Sequence, residues 1–297
     1  MANNIQLAEK FLPVIDEIYQ KQSLTARLLD ANAEITFNGA NKANVFEVNV
    51  SGFGDYSRQN GFPVGDVESG WETYELKRDR GISLTVDAMD NEETLGMAFG
   101  KTVSTFMRTK EVPELDAYRF AAFASATGID GASADITVGT TDIPDLIDAA
   151  EESMGDNEVP EEGRLLYVSE KCYRALKNKI TRILVNENNV QRQIEVYDDM
   201  PVIKVPKTRF NTAITLFNGQ SNFGYKVTPG GYAINFMIIH PSAVRPIVKH
   251  RVPRIWTPGE NQRADAYEFQ LRTYHDAFVL ENKAKGVYVH RAATANV

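Results

Sequence analysis

The stretch "SGFGDYSRQNGFPVGDVESG" (Ser51–Gly70) decides how this chain is read. Glycines, polar groups and isolated aromatics follow one another with neither helical nor strand periodicity. Structureless connections beyond about 12–15 residues are uncommon inside a compact domain unless functional or disordered. Both flanks carry strand signals. Val45-Phe46-Glu47-Val48-Asn49-Val50 alternates, with Phe46, Val48 and Val50 on one face. On the other side come Trp71–Lys77 and the alternating Ile82-Ser83-Leu84-Thr85-Val86. The pattern predicts a long β-ribbon near residues 40–87 with Ser51–Gly70 at its tip. Phe53, Tyr56, Phe62, Trp71 and Tyr74 then lie on an element too thin to bury them, and a two-stranded ribbon is marginal alone in water. Clustered exposed apolar groups mark a partner surface. The expected cover is another copy of the chain.

Downstream, Asp90 and Glu93 have the spacing of a helix-starting capping box. Leu95, Phe99, Val103, Phe106 and Met107 continue as a helical stripe. Pro113 is expected to break or bend the helix, and Glu114–Ala126 resumes it with Leu115, Tyr118, Ala122 and Ala126. The whole element would span roughly 35 residues, or about 50 Å. Upstream, Ile5, Ala8, Leu12, Ile15 and Tyr19 recur at helical spacing across Pro13, and Ser23 is placed to cap a short helix through Leu29. These read as an N-terminal arm laid over something larger.

From Ile136 the pattern changes to short alternating elements. Asp142 is placed to cap a helix through Ala150, and the acidic Glu151–Gly163 reads as a loop. Leu165–Val168 is a strand, and Ser169 caps a helix with Tyr173, Leu176 and Ile180. Strands follow at Val202–Val205, Ala233–Ile239, Val244–Val248, Tyr267–Phe278 and Gly286–His290. The alternation between 136 and 240 argues for a compact α/β unit.

The 297 residues are 43% hydrophobic and 24% charged, enough to bury a real core. The net charge of −8 argues against a protein held on nucleic acid by a broad basic surface. Residues 241–297 carry nine Lys/Arg against five Asp/Glu, an excess of four, which leaves −12 for the rest. Cys172 is the single cysteine, so no intrachain disulfide forms. No apolar run reaches the roughly eighteen residues needed to span a bilayer.

Catalytic signatures are lacking. Gly52-Phe53-Gly54 is only a GxG, at a ribbon tip and not between a strand and a helix. His240, His250, His275 and His290 lack metal-ligand spacing. Cys172 falls in the first turn of an expected helix, where a thiol can be activated, but Tyr173 and Leu176 beside it point to packing. Glu151–Glu162 lacks the ordered ligand pattern of a calcium loop. No catalytic residue, cofactor, metal or membrane is expected.

Four segments in order, "VPELDAYRFAAFA" (Val112–Ala124), "GRLLYVSEKCYRAL" (Gly163–Leu176), "YDDMPVIKVP" (Tyr197–Pro206) and "YHDAFVLENKAKGVYVH" (Tyr274–His290), resemble the major capsid proteins of tailed bacteriophages. The resemblance covers nearly the whole chain and rests on the ordered set, not on any one motif. It implies the α+β phage major capsid fold that encapsulin shells share. Residues 1–34 would be the N-terminal arm, 35–87 the extended β-hairpin loop, and 88–135 the peripheral domain with its long spine helix. Residues 136–240 would be the α/β axial domain, with an axis-facing loop within Lys207–Gly231, and 241–297 the returning peripheral strands. Family members line their DNA-filled interior with that peripheral domain.

The implied function is self-assembly into pentamers and hexamers that form an icosahedral or prolate head around double-stranded DNA. The resemblance implies a portal protein, non-specific contact with the packaged DNA and a decoration protein as partners. The arm-like pattern starts within the first residues, so any scaffolding protein is expected to be a separate chain. The expected location is the virion capsid, assembled in the bacterial host cytoplasm. Subunit contacts are expected from Phe53, Tyr56, Arg58, Phe62 and Trp71 on the loop and from Phe11, Ile15 and Leu28 in the arm. Some relatives join a loop lysine to a neighbour's asparagine. Ser51–Gly70 contains Arg58 but no lysine, with Lys42 and Lys77 at the ribbon's base, so no such crosslink is expected. The rival readings are an encapsulin-like shell around enzyme cargo and an enzyme on an elongated α/β scaffold. Packaged nucleic acid separates the first and size-exclusion chromatography the second.

Overall fold

The computed structural model describes residues 22–29, 35–38, 41–56, 58–59, 62, 64–93, 97–177, 179–187 and 190–296. In chain order its strands are β1 (Ile35–Asn38), β2 (Lys42–Val50), β3 (Val67–Glu75), β4 (Arg78–Asp87), β5 (Asp130–Ser133), β6 (Leu165–Ser169), β7 (Thr181–Glu187), β8 (Val190–Tyr197), β9 (Met200–Val205), β10 (Ile214–Leu216), β11 (Tyr225–Val227), β12 (Tyr232–Ile239), β13 (Val244–Trp256), β14 (Ala266–Val279) and β15 (Val287–Ala295). The α-helices are α1 (Ala88–Glu93), α2 (Met97–Phe106), α3 (Val112–Ala124), α4 (Ile143–Asp156) and α5 (Glu170–Leu176). The class is mixed α+β.

β2 and β3 pair antiparallel from Lys42 opposite Glu75 to Val50 opposite Val67, with β1 alongside β2. Nine residues per strand hold the tip roughly 30 Å from the base, at about 3.3 Å each. The ribbon is shorter than expected. It ends at Glu75, and β4 leaves it to pair with β14, Ala266 opposite Asp87 and His275 opposite Arg78. The link between β3 and β4 explains the divergence. Leu76 is buried, its carbonyl accepts from Tyr274 Oη at 2.7 Å, and the Lys77 N–H donates to Asp276 Oδ2 at 2.9 Å. Both partners lie on β14, so the chain is tied to the second sheet before β4 begins.

The long helix is present in pieces. Asp87 accepts from the Met89 N–H at 2.9 Å and starts α1, so the capping residue is Asp87 and not Asp90. Between α2 and α3 lies one π-helical stretch, Met107–Glu111, flanked by residues that keep right-handed helical angles. Pro113 therefore does not end the helix. It sits in the first turn of α3, where a missing N–H costs little, and the wide turn just before it absorbs the mismatch.

A seven-stranded sheet in the order β5-β15-β12-β6-β9-β8-β7 forms the second body. Its central strands, LLYVS and YAINFMII, are near-continuous apolar runs because both faces are covered. Phe120 and Phe123 of α3 pack with Tyr167, Met237 and Val289 on one face. Ile143, Ile147, Ala150 and Met154 of α4, with Cys172 and Leu176 of α5, pack with Leu166, Phe236 and Ile238 on the other. The sheet does not stop at residue 240: β15 pairs with β12, and β5 runs parallel to β15. Part of the acidic stretch is helical, not loop, because Met154 extends the apolar stripe of α4 by one turn. Ser169 caps α5 by accepting from the Cys172 N–H at 3.4 Å, as its sequence position implies. A separate antiparallel sheet, β13-β14-β4, packs against Phe99, Val103 and Met107 of the spine.

Candidate assembly surface

The ribbon tip runs from Ser51 to Asp66. It is closed by Ser51 N–H to the Asp66 carbonyl and by Asp66 N–H to Ser51 Oγ, both 3.0 Å. The bonds fix where the tip leaves the strands. Phe53 is fully exposed, Phe62 is 85% exposed, Val64 96% and Tyr56 61%. The Tyr56 and Phe62 rings touch, with centroids 5.0 Å apart and planes tilted by 60°. Arg58, in the same segment, is exposed. Trp71 lies on β3 opposite Phe46 and is half exposed. Single exposed apolar residues are ordinary, but several on one projecting element form a patch.

The arm residues divide. Phe11 and Ile15 lie outside the described residues. Leu28 is placed differently from the expectation: it is fully buried in its own chain, in the core with Phe120, Phe123 and Tyr167. Ser23 is not a helix cap either. Its hydroxyl donates to Asp116 Oδ1 at 2.8 Å, and the short helix Ala26–Leu28 that follows is a 3-10 turn with no side-chain cap.

Asp116, on α3, is the anchor that sequence reading missed. It is completely buried and also accepts from the Leu24 N–H at 3.0 Å and from the Thr25 hydroxyl at 2.7 Å. Arg209 reaches its Oδ2 at 3.4 Å. A buried carboxylate is tolerable only with such a set of donors. The signal available was one acidic residue between Leu115 and Ala117 in an otherwise apolar turn.

A second junction holds the β10–β11 hairpin. Arg80 Nε meets Glu114 Oε1 at 2.6 Å while its Nη1 donates to the Phe217 carbonyl at 2.5 Å. The loop expected to face a symmetry axis is thus tied at Phe217 to α3 and β4. On the C-terminal segment, Arg251 pairs with Glu111, Arg272 with Asp79 and Lys285 with Asp130. Much of the local positive excess is therefore spent within the chain.

Inside the fold, burial disfavours the charged forms of Cys172, His240, His275 and His290. Burial pushes the Cys172 thiol up to about 11, so the thiolate is scarce despite its place in the first turn of α5. Burial lowers His240 and His290, and burial with nearby Arg119, Arg80 and Arg78 takes His275 down to about 3. Among the described residues, no group of three His, Cys, Asp or Glu side chains is placed to hold a metal ion, and no helix is long and apolar enough to cross a membrane.

No protein-family model matches the chain, and no curated protein sequence matches it. Solved structures do. One from the Gordonia phage Cozz is 13% identical, with 92% of this chain and 87% of that one covered and a TM-score of 0.59. The capsid structure of the cyanophage P-SCSP1u is 14% identical over 87% and 85%, with a TM-score of 0.56. A virus-like particle from Pyrococcus furiosus is 10% identical over 96% and 99%, with a TM-score of 0.53. With its ribbon, segmented spine and seven-stranded α/β body, the chain shares the fold of these phage capsid and virus-like-particle structures.

Proposed function

We propose that this chain is a major capsid protein, which self-assembles into the pentamers and hexamers of a phage head enclosing double-stranded DNA. The observation that carries the reading is the ribbon tip, where Phe53, Tyr56, Phe62 and Val64 are exposed in the isolated chain. An apolar patch held about 30 Å from its own base fits burial on a neighbour. Closed symmetry then repeats one contact around the whole shell. Edge strands and hydrophobic anchors supply the association energy, and the role is structural, not catalytic. Portal protein, scaffolding protein and decoration protein are proposed partners, with packaged DNA contacted non-specifically. The net acidic charge supports weak contact with DNA, since a strongly basic lining would hold the genome fast. The proposed site of action is the virion capsid, assembled in the host cytoplasm.

The test is direct. The purified chain, alone and with its scaffolding partner, is passed over a size-exclusion column and imaged by electron microscopy. Closed shells are expected; a small oligomer under every condition overturns the reading. A second reading, a shell around protein cargo, is favoured by the likeness to the Pyrococcus virus-like particle. Double-stranded DNA inside particles recovered from the native source is expected, and enzyme cargo without DNA would select the second reading.

A further inference from the structure

The three-stranded sheet β13-β14-β4 has two margins, and they differ. β13 carries Pro246, Pro253 and a bulge between Val248 and His250, all of which discourage a further strand. β4 reads RDRGISLTVD, with no proline, lysine or bulge and no charge between Gly81 and Val86. Pro253 stands opposite Leu271 and has no N–H, so the backbone groups of Leu271 turn to Ile82 on β4. The bonds then alternate, and Gly81, Ser83 and Thr85 turn their N–H and C=O groups to the open side. Among the described residues these three make no backbone hydrogen bond outside the β-ladder.

Gly81 adds a second observation. Its φ is not positive, and a side chain there would meet only the Leu271 carbonyl, at an ordinary 3.5 Å. Nothing within the chain requires glycine at this position. With no bulge here, the close approach of another backbone accounts for it.

Two cavities flank the same edge, and Gly81 and Ile82 line both. On the spine side, about 320 Å³ is walled mainly by Ile82, Leu84, Phe106 and Leu115, with Lys110 in the lining. On the opposite face, about 340 Å³ is lined by Asp79, Gln270, Arg272 and Arg254. Asp79 is held by Arg272, whereas Lys110 and Arg254 have no ion-pair partner among the described residues. An added strand bonds through its backbone and places alternate side chains on the two faces. The edge therefore suits a strand with an apolar group on one face and an acidic neighbour on the other.

β3 supplies that pair. It is a margin strand of the ribbon, nine residues long and without proline, with Trp71 half exposed and Glu72 next along the strand on the other face. The other margin strands fit less well. β1, β5, β10 and β11 have four residues or fewer, and β7 sets a cation, Arg182, before its apolar Ile183. Leu76 and Lys77 tie the start of β4 to β14, so the ribbon diverges from its own β4. Resting on the shell reading above, we propose that the open edge of β4 takes β3 of a neighbouring copy as an added strand, its Trp71 in the spine-side cavity and its Glu72 facing Arg254.

Hydrogen exchange, read residue by residue in a mass spectrometer, tests the edge. The amides of Gly81, Ser83 and Thr85 are expected to exchange about 100-fold more slowly in particles than in the unassembled chain. Intact particles in which they exchange as fast as before overturn the strand addition and leave the shell reading standing. T85P removes one outward N–H, as Pro253 does on β13, and T85V keeps it. T85P is expected to raise the critical concentration for assembly about 2- to 10-fold, the effect of one hydrogen bond per copy, and T85V to match the parent. Equal behaviour of the two variants counts against the added strand. The donor is tested by replacing Trp71 with photoreactive p-benzoylphenylalanine and mixing light and isotopically heavy copies before assembly. Light-to-heavy crosslinks to the peptides bearing Phe106 or Leu115 are expected. Crosslinks that fall only elsewhere, or only within one copy, overturn β3 as the added strand. If the unmodified chain forms no particles, the shell reading falls and the docking with it.

Discussion

The hydroxyl of Thr25 donates to Oδ1 of Asp116 at 2.7 Å, joining the arm to the spine helix across 91 residues of sequence. Arg119 Nη1 in turn donates to the same hydroxyl at 2.8 Å. Thr25, Asp116 and Arg119 are all fully buried. Replacing Thr25 with valine keeps the volume and removes both bonds, together with the contact to Ser23 Oγ at 3.2 Å. The expected loss is about 2–3 kcal/mol, the scale for hydrogen bonds to charged groups. Urea unfolding of the unassembled chain measures it, and an unchanged midpoint would show that the Thr25 hydroxyl does not help hold the arm.

The tip aromatics should matter only to assembly. Burying a phenylalanine contributes about 1.5–3 kcal/mol, and the loss recurs at every copy in a shell. The double variant F53S and F62S is expected to leave the chain folded, since both rings are exposed in the isolated molecule. It is expected to abolish particles. Circular dichroism and electron microscopy on the same preparation report the two outcomes separately; normal particles from the variant refute the role of the tip.

Mature particles should be held without covalent links between ribbon tip and neighbour. Ser51–Gly70 contains no lysine to supply the amine. Boiled in detergent and run on a denaturing gel, mature particles are expected to give one band near 33.2 kDa. A ladder of multiples would contradict this.

Glu151 gives a pH-dependent signature. Burial, followed by the charges of Asp198 and Asp148, pushes its carboxyl up to about 7, with Arg164 opposing. A carboxyl with a raised folded-state pKa holds a proton that the unfolded chain has already released. Its contribution is therefore present below about pH 4.5 and is lost as pH rises toward 7. The variant E151Q removes the charge at all pH values. It is expected to melt higher than the parent at pH 8 and to converge with it near pH 4.5. Equal gains at both pH values would assign the effect to packing.

How much was legible in the sequence depends on how far each signal reaches along the chain. Local periodicity revealed the strands read as Leu165–Val168 and Ala233–Ile239, which the structure extends by one residue each, because apolar runs buried on both faces announce themselves. The cap at Ser169 needs only three residues of spacing. The exposed tip was legible because Ser51–Gly70 has no pattern with which to bury its own aromatics. The hairpins β7–β8 and β10–β11 and the short β5 went unseen; β10 and β11 have three residues each and β5 four, too few to show a period. β5 illustrates why: a side chain at Gly131 would clash with the Val289 carbonyl, and that constraint comes from a strand 158 positions away.

The amino-acid sequence by itself determined the order of ribbon, spine and α/β body and the absence of a lysine from Ser51–Gly70. Tertiary structure alone decided that β4 leaves the ribbon for β14, that β15 completes the sheet of β12, and that Leu28 belongs to the core and not to a neighbour. It also decided that Asp116 gathers the arm. The physical reason is range. Helix and strand propensities act over a few residues, whereas a buried carboxylate and its donors, or a strand and its partner, are matched only when the folded chain brings distant segments together.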